Sequence, residues 1–240
     1  MDLNIIAEDD RLIVVDKPAG VTVWKEGMSQ EETIVSFLVG QFPELESLGE
    51  QRRYGIVHRL DKDTSGILLA AKTKEAFEQL QKQFAARKVE KRYVCLVEGT
   101  LKEEGGLIHT LLGRSPADRR KQRAYPLDQP FDSLQQGSGQ AAQGKREAIT
   151  EWKMLKRFEN YTLLEVTPKT GRKHQIRAHM ASIGHPVAGD KLYGFKNQRV
   201  PQGLERHFLH AGFLKIDGKE FVSPLPEDLQ NVLEKLSQLK

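Results

Sequence analysis

Short apolar runs at residues 3–6 and 12–15, separated by Glu8, Asp9 and Asp10, predict a β-hairpin at the start of the chain. Ser29, with Glu32 three residues on, has the form of a capping box. It predicts a helix through Phe42 with Ile34, Phe37, Leu38 and Phe42 on one side. Thr73 opens a second predicted helix to about Arg87, with a stripe of Phe77, Leu80 and Phe84. A strand is expected from Arg92 to Val97, and others at residues 148–155 and 161–166. Gln175–Ile183 reads as a helix that stops at Gly184 before Pro186. From Pro226 to Lys240, Leu229, Val232, Leu233, Leu236 and Leu239 recur at helical spacing. Strands and helices interleave without regular βαβ spacing, so the expected class is α+β with a largely antiparallel sheet. No internal repeat is visible. Residues 130–146 are rich in Gln, Gly and Ser and predict a flexible loop inserted in an otherwise single domain spanning residues 1–240.

Composition narrows the picture modestly. At 240 residues the chain can bury a sizeable core, and 29% charged residues with a mean hydropathy of −0.53 suit a soluble protein. The net charge of +4 argues little for an anionic partner, but its distribution argues more. Arg114, Arg119, Arg120, Lys121 and Arg123 face only one acid, Asp118, in the same stretch, and such clusters attract phosphate backbones. Cys95 is the only cysteine, so no intrachain disulfide is possible, and its mid-strand place predicts a small buried apolar residue. No basic, apolar leader opens the sequence and no apolar run reaches the roughly 18 residues of a membrane helix. A cytoplasmic, monomeric protein without a membrane partner is expected.

One segment carries most of the candidate chemistry. Gly55-Ile56-Val57 leads into His58-Arg59-Leu60-Asp61-Lys62-Asp63-Thr64-Ser65-Gly66, and Ile67-Leu68-Leu69-Ala70-Ala71 leaves it. A polar cluster between two apolar runs predicts a loop held by two buried strands, a common support for catalytic groups. The structural alternative is a turn in which an aspartate caps backbone amides and pairs with Arg59.

This block resembles the central HRLDxxTSG motif of the RluA family of RNA pseudouridine synthases. Two further segments match in the family's order. One is Lys91-Arg92-Tyr93, leading a strand that closes at Glu98-Gly99. The other is Thr170-Gly171-Arg172-Lys173-His174-Gln175-Ile176-Arg177-Ala178-His179, continuing through Gly184-His185-Pro186 to Gly189-Asp190. Asp16-Lys17-Pro18-Ala19-Gly20 looks like the family's start. The resemblance implies the pseudouridine synthase fold, a long mixed and mostly antiparallel sheet flanked by helices. The first motif begins close to Met1, so no separate N-terminal RNA-binding domain is expected.

The resemblance also implies a reaction. Pseudouridylation breaks a uridine's glycosidic bond, turns the base over and rejoins it to the ribose through carbon, with no redox change and no added group. No cofactor is therefore expected. The family's nucleophile is an aspartate, which matches Asp61; the base and the sugar carbon both stay open as its point of attack. A carboxylate taken out of water tends to be protonated unless a fixed cation stands by it, and the resemblance gives that part to Arg177. Tyr93 matches the active-site tyrosine and Ile176 an apolar position that packs on the target base. Arg59 matches an arginine that in some relatives fills the gap left by the extruded base. Arg172 and Lys173 are candidates for phosphate contacts, and His58 completes the expected substrate-binding set. RNA is the expected partner, ribosomal RNA being preferred over transfer RNA.

Two rival readings exist. His174, His179 and His185 cluster in sequence as a metal set would. Their spacing does not put a pair on one helix face, and no Glu follows the first, so no metal site is expected. The other rival is a non-catalytic RNA-binding module of the same fold, against which stand the intact Asp61, Tyr93 and Arg177.

Overall fold

The computed structural model describes residues 3–24, 32–50, 53–127 and 144–238. In chain order the elements are β1 (Asn4–Glu8), β2 (Leu12–Lys17), α1 (Ile34–Gln41), β3 (Ser65–Ala71), α2 (Lys74–Ala85), β4 (Glu90–Glu98), β5 (Gly105–Arg114) and β6 (Gln122–Tyr125). They continue with β7 (Arg146–Arg157), β8 (Tyr161–Pro168), α3 (Gln175–Ser182), β9 (Leu209–Ile216), β10 (Lys219–Val222) and α4 (Glu227–Gln238). These elements group into two compact units, one of residues 1–91 with 210–226, the other of residues 92–209 with 227–240.

In the first unit β1 and β2 form the expected antiparallel hairpin, β2 pairs antiparallel with β3, and β10 pairs antiparallel with β9. β3 and β9 run parallel, aligning Ser65 with His210 and Gly66 with Ala211. All seven residues of β3 are buried. One face of its sheet packs through Leu68 on Ile34 and Leu38 of α1 and on Leu45 in the turn that follows, and the other on α2 through Ile67, Leu69, Ala76 and Leu80. α2 starts where Thr73 predicts it, because the Thr73 side chain accepts from the Ala76 amide. α1 departs from expectation. Ser29 lies outside the described residues, and the cap is Thr33, whose hydroxyl accepts from the Ser36 amide while its own amide donates to Ser36 Oγ.

In the second unit β4, β8, β7, β5 and β6 are neighbours in that order, all antiparallel. α3 packs on them, burying Ile176 and Met180 against Cys95, Leu164 and Val166. Gly184, at φ +85°, ends α3, and Leu229, Val232 and Leu236 are the buried face of α4. Most of the expected 130–146 loop lies outside the described residues, and its last member, Arg146, opens β7 instead. Burial pushes the Cys95 thiol up, helped by the charge of Asp190, as suits a core residue and not a nucleophile.

Candidate active site

In the first unit the motif loop is held by only one strand. Ile56 makes a single bridge to Ala70, so the expected lead-in strand is reduced to that pair. Other anchors replace it. Lys17 is fully buried, and its Nζ donates to the carbonyls of Pro18 (2.7 Å) and Lys62 (2.9 Å). The Gly20 amide donates to the same Lys62 carbonyl at 3.0 Å. Residues of the opening Asp16–Gly20 segment thus grip the peptide that follows Asp61. On the other side, the Leu69 amide donates to Nε2 of His58 (3.0 Å), and the imidazole stacks on Phe84 at 4.8 Å. Burial, with the charge of Lys91, pushes His58 down to about 3, so the ring is neutral and serves as an acceptor. His58 is therefore turned toward β3 and α2, an internal place that differs from the substrate-facing one expected for it.

The turn closes with the Thr64 amide donating to the Asp61 carbonyl at 3.2 Å. Thr64 and Ser65 are buried behind it, while Asp61 is half-buried. Ser65 Oγ meets Nδ1 of the buried His210 at 2.9 Å, and His210 Nε2 meets the Ser223 carbonyl at 3.0 Å. A carbonyl can only accept, so Nε2 carries the proton and, in the neutral ring, Nδ1 accepts from Ser65. Gly66 is required next to it. At φ +116°, a Cβ there would lie 2.3 Å from the Ala211 carbonyl oxygen. The result is a turn anchored from both sides that carries the half-buried Asp61 and the exposed Asp63. Beside it Arg59 is exposed, its guanidinium 4.5 Å above the Trp24 ring, with Arg53 at 5.1 Å on the same ring.

The other expected residues lie in the second unit. Tyr93 is half-buried on β4 opposite Val166, packed against the apolar cluster that also holds Ile176. Arg177 is 8% exposed on α3, which excludes a solvated helix face for it. Its Nε and Nη2 donate to the two oxygens of Asp190 at 2.6 and 2.9 Å, and its guanidinium lies 5.2 Å from the Tyr193 ring. Burial alone would push Asp190 up. The hydrogen bond and charge of Arg177, with the Tyr193 and Leu192 amides, outweigh it and hold the carboxyl below its usual value. Arg172 is half-buried with Nε donating to the Glu147 carbonyl (3.0 Å), whereas Lys173 is exposed.

The three clustered histidines have separate partners. His174 Nδ1 meets Tyr193 Oη, His179 lies between Thr110 and Thr150, and His185 Nδ1 donates to the Glu98 carbonyl. Among the described residues no three His, Cys, Asp or Glu side chains group to hold a metal.

Residues 11–182 match the family model described as RNA pseudouridylate synthase. The chain belongs to that family and to its RluA type. It is 44% identical over 204 residues to an RNA pseudouridine synthase of Aquifex aeolicus, itself described as uncharacterized, covering 84% of this chain and 59% of the relative. It is 36% identical over 248 residues to ribosomal large subunit pseudouridine synthase D of Nitrosomonas europaea, covering 99% and 66%. The chain thus spans about two thirds or less of the length of these two relatives. The structure of human RNA pseudouridylate synthase domain containing 4 matches with a TM-score of 0.76 at 24% identity, over 98% of this chain and 93% of that one, which shows a shared fold.

Sequence reasoning missed several side chains that support these residues. Lys17 stood in a recognised motif but had no role, since nothing local says its ammonium points inward. Asp190 closed the third motif in the same way. Trp24, Tyr193 and His210 carried no signal, because their partners are remote in sequence.

Proposed function

We propose that the chain is an RNA pseudouridine synthase that isomerises uridines within structured RNA, with Asp61 as nucleophile. The observation that carries this reading is the Asp61 turn. It is gripped by Lys17 and Gly20 at the Lys62 carbonyl and backed by the buried Thr64 and Ser65. A nucleophile must be held where its attack is aligned, and displacement by about 1 Å can cost on the order of 100-fold in rate. Family membership agrees with the reading.

In this proposal Tyr93 and Arg177 keep the roles given by the resemblance, the tyrosine against the base and the guanidinium keeping a catalytic carboxylate ionised. The exposed Arg59, stacked on Trp24, is preorganised to replace a flipped base, since a guanidinium plane stacks as a base does. Large-subunit ribosomal RNA is the proposed substrate, in keeping with the name of the Nitrosomonas relative.

The test is Asp61→Asn, which keeps volume and removes the nucleophile. With uridine-containing ribosomal RNA, nucleoside chromatography should find pseudouridine from the wild type and none from the variant, at unchanged RNA affinity. Turnover within tenfold of wild type would reject Asp61 as nucleophile.

A further inference from the structure

The hairpin of β5 and β6 carries a cluster of cations that the reaction itself does not use. Gly113 on β5 is paired with Arg123 on β6. A Cβ on Gly113 would lie 2.8 Å from Cγ of Lys145 and 3.6 Å from Cε2 of Tyr125. The missing side chain is thus the slot in which the Lys145 stem lies. From that slot Lys145 Nζ sits 3.9 Å from the centroid of the Tyr125 ring, and the guanidinium carbon of Arg123 stands 5.2 Å from the same centroid. The ring is buried beneath them.

Two like charges gathered on one aromatic floor repel each other. Burial first, and then the charge of Arg123, push Lys145 below the usual lysine range. The nearby acids are engaged elsewhere. Asp118 is paired with Arg120, and Glu147 with His109. An anion placed against both cations relieves the repulsion. Exposed Arg114 at the end of β5, Arg119 in the connection to β6 and Arg146 at the start of the neighbouring β7 continue the positive surface, which fits a polyanion better than a single small ion.

We infer that Lys145 and Arg123, seated on Tyr125, bind a backbone phosphate of the RNA substrate. The inference rests on the reading of the chain as an RNA-modifying enzyme. Phosphate contacts of this kind set the register and orientation of a nucleic acid without reading its bases. Lys145 and Arg123 are therefore binding residues, and the chemical step proceeds without them once RNA is saturating.

The experiment is a binding and single-turnover comparison of wild type, Lys145→Gln, Arg123→Gln and Gly113→Ala with a fragment of large-subunit ribosomal RNA as KCl is raised. Each glutamine variant should bind about 3–10-fold more weakly at low salt, with the slope of log affinity against log salt reduced by about 0.7–0.9. Gly113→Ala keeps every charge but displaces the Lys145 stem, so it should also weaken binding. Rates at saturating RNA should stay within about twofold of wild type. Unchanged affinity and slope in Lys145→Gln would overturn the inference, as would a lower saturating rate with affinity intact. A wild type that shows this salt dependence but makes no pseudouridine rejects the proposed activity and leaves the phosphate contact standing. A wild type that makes pseudouridine while Lys145→Gln keeps full affinity does the reverse.

Discussion

The guanidinium of Arg177 meets Asp190 at two points inside the second unit, so losing either side chain deprives the other of a close, buried counter-charge. Removing one partner of a buried pair typically costs about 3–5 kcal/mol, whereas an exposed helix residue would change stability by about 0.5 kcal/mol or less. Arg177→Ala is expected to fall in the first range by urea denaturation. Arg177→Lys should recover part of the loss, because an ammonium cannot make the planar two-point contact. Arg177→Ala within 0.5 kcal/mol of wild type, read as about that much change in unfolding free energy, would contradict the buried pairing. The position of Arg177 on a helix was readable from the chain; its place beside a carboxylate came only from the resemblance, which named Asp61 and not Asp190. A guanidinium reads as surface until its carboxylate is known, and Asp190 lies beyond the end of α3.

At the scale of elements, the Asp61 turn depends on how closely β9 approaches β3. Gly66→Ala adds a methyl 2.3 Å from the Ala211 carbonyl oxygen on a backbone with φ +116°. Strain and overpacking together should cost about 3 kcal/mol or more. The expected outcome is a lower melting temperature, and a melt within about 2 °C of wild type would count against the contact. β1, β2, β3, α2, β4, β7, β8, α3 and α4 were legible because each carries its own apolar pattern or cap. β5, β6, β9 and β10 were not, and the reasons are physical. β5 begins with Gly105-Gly106, and a Cβ on Gly106 would lie 2.9 Å from the Trp152 ring, so a distant indole covers what a local side chain would otherwise fill. β9 buries His210 and includes Gly212, which breaks the apolar alternation of a strand. Asp61, Tyr93 and Arg177 were each named from motifs, while Lys17 and His210 were invisible because their contacts are with residues far along the chain.

For the molecule as a whole, acid is the expected weak point. Burial, then Lys91, pushes His58 down to about 3; burial, then His109, pushes His179 down to about 4. Both rings are neutral in the folded chain at pH 5 and take up a proton on unfolding, since an ordinary histidine titrates near 6.5. The unfolded state therefore binds more protons between pH 6.5 and 4, and stability falls as pH drops through that window. For His179 alone the loss should reach on the order of 3 kcal/mol by pH 4. Urea midpoints should be level from pH 8 to 7 and then decline. His179→Gln should be less stable at pH 7, having lost its threonine partners, yet decline less steeply below it. A wild-type midpoint unchanged between pH 7 and 5 would refute the assignment. The Ser65–His210 contact also has a consequence in time, because 145 residues separate its partners. At roughly 5–20 residues per second of synthesis, the turn that bears Asp61 waits roughly 7–30 s after Ser65 is made before the strand that backs it exists. Lys17 and Gly20 are already present, so a nascent chain can shape the turn early but secures it only once β9 has been made.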